Sequence, residues 1–148
     1  ILYTPSGPGY WEYDSTTSFL GQLGDALEDI SDGFEKIAQD AGIRLPKQFD
    51  DVRMLMTRFE ASNPLHVAMM EAFRNVFGAD VCRNAIEMTR AVEQSGRFQM
   101  SVYEQDYRQM TRETWKRARQ SFDAAYDEFK EVVLGAWERR GQKAEVEA

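Results

Sequence analysis

The stretch Phe98–Gly141, FQMSVYEQDYRQMTRETWKRARQSFDAAYDEFKEVVLGAWERRG, holds no proline and no glycine before Gly135. Good helix formers fill its polar positions, and Tyr103, Tyr107, Met110, Thr114, Ala118, Phe122, Ala125, Phe129, Val132 and Ala136 recur every three or four residues. That period is the signature of one buried face on an α-helix. The spacing predicts a long helix over 98–140. A helix of that length rises on the order of 60 Å, so other segments must lie along it.

Working outward, a second long helix is expected over 15–41. It is capped by Asp14 or Ser15 and ended by Gly42. Leu20, Leu23, Leu27, Ile30, Phe34 and Ile37 alternate steps of three and four, a seam too short for a coiled coil. Asp25, Glu28, Asp29, Asp32 and Glu35 fall opposite that seam. Between the two, short helices are expected at 48–60, 64–77 and 80–95. The firmest boundary signals are Asn63-Pro64 at a start and Gly78 at an end. No alternation of apolar and polar residues argues for a sheet. The expected fold is all-α: an elongated bundle of two long antiparallel helices (15–41 and 98–140) with three shorter ones between. The domain plan is an extended aromatic arm at 1–14, one helical domain at 15–141 and a flexible tail at 142–148.

The arm follows from ILYTPSGPGYWEY, where Pro5, Gly7, Pro8 and Gly9 oppose regular structure. Its rings, Tyr3, Tyr10, Trp11 and Tyr13, suit docking on the bundle or on a partner.

The chain of 148 residues carries a net charge of −7. Residues 1–40 hold eight acids against Lys36 alone, so the whole excess lies there; 41–96 and 97–148 each balance. On net charge, nucleic acid is not an expected partner. Arg108, Arg112, Lys116, Arg117 and Arg119 nevertheless form a local basic block beside Tyr107 and Trp115. No apolar run is long enough to span a membrane. The chain begins at Ile1, so its compartment stays open, cytoplasmic or exported after loss of a leading segment.

The residues that chemistry needs are sparse. One histidine, His66, cannot furnish the paired Glu-x-x-His set of a di-metal bundle, nor a histidine cage for zinc or haem. Cys82 is the sole cysteine, which excludes an internal disulfide and reads as a buried thiol. GPGYW lacks the lysine of a phosphate loop and follows no expected strand. No catalytic residue, metal ligand or cofactor is expected. The methionine-rich middle, Met54, Met56, Met69, Met70, Met88 and Met100, suits either a core or an adaptable groove.

No motif places the chain in a known family. The composition favours a non-enzymatic structural or adaptor subunit, binding a protein partner or further copies of itself. Its contacts would be Tyr3, Tyr10, Trp11 and Tyr13 with the acidic face of Asp25, Glu28, Asp29, Asp32 and Glu35. The alternatives are an acidic inhibitor or nucleic-acid mimic that meets a basic protein surface, and an exported helical component of a bacterial surface or secretion machine.

Overall fold

The computed structural model describes residues 1–41, 51–106, 108 and 110–146, and the side chains of these except 30–41 and 143–146. About 66% of the described residues are helical, but a parallel two-stranded sheet is paired among them, so the fold is not an all-α bundle. The order is β1 (Leu2–Ser6), α1 (Tyr10–Ala41), β2 (Val52–Met56), α2 (Pro64–Phe77), a single 3₁₀ turn (Gly78–Asp80), α3 (Arg90–Phe98) and α4 (Arg112–Val146).

β1 and β2 run parallel in a register that sets Leu2 opposite Val52, Thr4 opposite Met54 and Ser6 opposite Met56. A parallel pair needs a crossover, and α1 lies in it. The far side of β2 is also occupied. Cys82 and Ile86 donate their N–H groups to the Met54 and Met56 carbonyls, each at 2.9 Å, and Phe59 N–H donates to the Ile86 carbonyl at 3.0 Å.

The segment expected as helix 48–60 is thus strand over Val52–Met56 and irregular from Thr57 to Glu60 apart from a bridge at Phe59; residues 48–50 lie outside the described set. Phe49, Val52, Leu55, Met56 and Phe59 satisfy a helical spacing. VRMLM, apolar at every position but Arg53, is equally the kind of run that fills a strand covered on both faces, where the alternation of a half-exposed strand is weakened. The expected arm is corrected as well: residues 2–6 are strand, and Tyr10 already belongs to α1. Pro5 did not prevent β1 because it falls where the strand meets no partner. Leu2 donates to the Asp51 carbonyl and the Ser6 carbonyl accepts from Thr57, so even-numbered residues face β2. Tyr3 and Pro5 therefore face away, where proline's missing N–H costs no ladder bond.

Two faces of helix cover the pair. On the Met54 and Met56 side, the core joins these to Met69, Met70, Phe73 and Val81, with Tyr13 and Leu20 of α1 packed against it. The Tyr13 ring meets Phe73 edge-on at 4.9 Å. Each such side chain contributes about 1.5–3 kcal/mol when fully buried, so these four methionines are core. On the opposite side, Tyr3 meets Phe129 of α4 edge-on at 5.0 Å. α1 and α4 are separated by the sheet and do not form the antiparallel pair that the periodicity suggested.

α2 begins and ends as expected. The Asn63 side chain accepts from Leu65 N–H, Pro64 opens the helix, and Gly78 closes it at φ 56°. The expected helix 80–95 is displaced. Residues 81–89 are irregular, bridging to Met54 of β2 at Val81 and to Phe59 at Glu87, and α3 starts only after Thr89, whose hydroxyl accepts from Val92 N–H at 3.3 Å. The long helix starts at Arg112, not 98, and runs to Val146. Ala118, Ser121, Ala125, Glu128 and Ala136 are its buried line. Ala91 of α3 and Ala118 of α4 are both wholly buried, small enough to bring the helices close.

Candidate functional site

In parallel α/β sheets ligands gather beyond the carboxyl ends of the strands, where chain turns into helix. Here that crest consists of Ser6-Gly7-Pro8-Gly9 after β1 and Thr57-Arg58 after β2. GPGYW does follow a strand, which corrects the expectation from sequence. Ser6, Gly7 and Pro8 are buried. The Ser6 hydroxyl lies 2.9 Å from that of Thr16. Thr57 binds the Ser6 carbonyl through its N–H at 2.7 Å and its hydroxyl at 3.2 Å.

Arg58 is the unusual residue of the crest. Its φ is 56°, a left-handed conformation that L-residues other than glycine seldom adopt and that collects at functional sites. Its guanidinium donates to Glu12 Oε1 at 2.7 Å. Glu12 lies in the first turn of α1, where a carboxylate faces the helix's unpaired N–H groups. The ion pair lies over the two glycines. A Cβ on Gly7 would stand 2.5 Å from Arg58 Nη2, and one on Gly9 would collide with Glu12 Oε2. A side chain at either position would displace the ion pair, and the geometry presents a forked cation beside a helix N-terminus.

A second charged region lies at the opposite, amino end of β2. A groove of about 570 Å³ is lined by Asp51, Arg53, Arg74, Arg83, Glu131 and Arg139 among others. Its guanidiniums are engaged: Arg53 and Arg139 with Asp51 at 2.8 and 3.1 Å, Arg83 with Glu131 at 2.5 Å, and Arg74 with the Arg83 carbonyl at 3.1 Å. It is a clasp between β2 and α4. Its buried member is Glu128, whose carboxylate accepts from Arg83 N–H at 2.7 Å, Asn84 N–H at 2.9 Å and Asn84 Nδ2 at 2.8 Å. Burial opposes its charge, but the two backbone N–H groups and the Asn84 amide prevail and hold its pKa below the usual carboxylate value. Cys82 is buried. Desolvation first, then the Glu128 charge, pushes its thiol up to about 11, which suits an inert thiol.

The expected contact residues are dispersed. Tyr3 is half-buried against α4, and Tyr13 is half-buried in the core. Tyr10 and Trp11 stand exposed on the first turn of α1, Trp11 at 84%. Asp25, Glu28 and Asp29 are exposed on the same helix; the side chains of Asp32 and Glu35 lie outside the described residues. The structure does not unite the four rings into one surface. It points instead to Arg58 and Glu12. Neither had a readable signal, because a left-handed arginine is invisible without the strand before it.

At the start of α4, the Arg119 guanidinium lies 4.7 Å from the Trp115 ring and 5.1 Å from the Tyr103 ring. Arg112 and Lys116 are exposed nearby. His66 Nδ1 accepts from Glu60 N–H at 3.1 Å. Among the described residues no group of three or more His, Cys, Asp or Glu could hold a metal ion. No helix among them is long and apolar enough to cross a membrane.

No family model matches the chain. Two curated proteins are similar to it, each bearing the name "Putative replication protein A". The one from Rhizobium rhizogenes is 29% identical over 125 residues, which are 84% of this chain and 28% of that protein. The one from Sinorhizobium fredii (strain NBRC 101917 / NGR234) is 30% identical over 126 residues, 85% of this chain and 28% of that protein. The chain spans little more than a quarter of the length of these relatives.

Proposed function

We propose that this chain works by binding, as a non-catalytic module of a longer replication protein, and that it meets an anionic ligand at the carboxyl ends of β1 and β2. Arg58 carries the proposal. A left-handed arginine costs roughly 1–3 kcal/mol, and here it sets a guanidinium against Gly7, paired with a carboxylate in the first turn of α1. The names of the two relatives support the replication setting. In this reading Glu12 occupies the anion's place and yields Arg58 to the ligand. Titration of the protein with a nucleoside triphosphate, as a phosphate-rich probe, tests it. The amide signals of Gly7, Gly9 and Arg58 should shift together, with affinity falling about tenfold in Arg58→Ala, the loss of one charge-assisted hydrogen bond. Shifts unaltered by Arg58→Ala would contradict the assignment.

A second reading is favoured by the stack of Arg119 on Trp115 and Tyr103. Cations interleaved with rings suit single-stranded nucleic acid, and the acidic surplus of the chain lies on α1, across the sheet. Binding of an oligonucleotide should then weaken with salt, and Arg112→Ala with Lys116→Ala should flatten the salt slope by about one each. A slope unchanged in both variants would remove this reading.

A further inference from the structure

Tyr3 and Pro5 face away from β2, and among the described residues no strand pairs with that edge. The Tyr3 N–H and C=O and the Pro5 C=O are the backbone groups turned outward. Beside this edge, α4 carries a second apolar strip distinct from its buried line. Tyr126 and Trp137 are 60% and 66% exposed, and Phe129 and Leu134 are exposed as well. The Phe129 ring touches Tyr3, so the strip is continuous with the open edge.

Parallel sheets occur almost only with both faces covered and as parts of larger sheets, and a pair of strands alone is marginal in water. Exposed large apolar side chains adjoining an unpaired edge mark a contact surface. We propose that the β1 edge and the α4 strip receive a further β-strand, with its flanking helix, from the part of a longer replication protein that this chain does not include. The choice of occupant rests on the reading that the chain belongs to such a protein, and on its covering 28% of each relative. Pro5 limits the new ladder to the amino-terminal half of β1, because it offers a carbonyl and no N–H.

Trp137 reports on the contact once every other tryptophan of the protein studied, Trp11 and Trp115 in this chain, is replaced by phenylalanine. Acrylamide quenching of Trp137, and exchange of the Tyr3 amide, are compared between this chain and the full-length gene product. In the full-length protein quenching should fall several-fold, and Tyr3 exchange should slow by about a hundredfold or more, as for an amide released only by unfolding. A full-length product no longer than this chain would overturn both the replication-protein reading and the docking. A longer product with Trp137 and Tyr3 as accessible as before would overturn the docking alone. Protection that already rises with concentration in the isolated chain would assign the surface to a second copy and overturn the proposed occupant.

Discussion

Glu128 shows how one residue joins distant parts of the chain. Its carboxylate, 7% exposed, binds the backbone of Arg83 and Asn84 from the middle of α4. Glu128→Gln removes a charge from two N–H donors and should cost about 1–3 kcal/mol at neutral pH by chemical denaturation. Because the folded pKa lies below the unfolded one, this stabilisation is complete above the ordinary carboxylate range, near 4.3, and is lost as pH falls through the folded value. The stabilities of wild type and variant should therefore converge in acid. Arg58 offers the complementary case of a backbone conformation. Arg58→Gly and Arg58→Ala lose the same ion pair with Glu12, but glycine accepts φ 56° freely. The glycine variant should be more stable than the alanine variant by about 1 kcal/mol. Equal stabilities would mean that the left-handed conformation carries no strain.

At the scale of elements, legibility followed the local signal. α2 was readable because Asn63, Pro64 and Gly78 each act within a turn of their own position. Asn63→Ala should lower thermal stability by about 1 kcal/mol through loss of the bond to Leu65 N–H. The helical character of α4 was readable because its buried line keeps helical period, but neither end was: it starts at Arg112 and not 98, and it runs on to Val146, past the expected end at 140. β1 and β2 were not readable, since each is held by the other across about 50 residues of sequence. Pro5 looked like a breaker because nothing local shows that it faces an open edge. Val52, Met54 and Met56 alternate within VRMLM, but Leu55, with Phe49 and Phe59, blurs that alternation into a helical spacing. Met54, 2% exposed, tests β2 as a core strand. Met54→Ala should destabilise by about 2–5 kcal/mol, far more than a partly exposed helical position would.

At the scale of the molecule, the sheet decides what faces what. It separates the acidic α1 from the basic start of α4, so the net charge describes no single surface. It creates the crest at Arg58, and it leaves one edge of β1 and the adjoining strip of α4 open. The candidate site was illegible from sequence for the same reason as the sheet: Gly7, Gly9, Glu12 and Arg58 meet only once β1 and β2 are paired. The measurement that tests this arrangement most directly is residue-resolved hydrogen exchange on the isolated chain. The Leu2, Thr4 and Ser6 amides, which face β2, should be protected, and Tyr3 between them should exchange fast. Equal protection of the Leu2, Tyr3, Thr4 and Ser6 amides would contradict a parallel pair with an open edge.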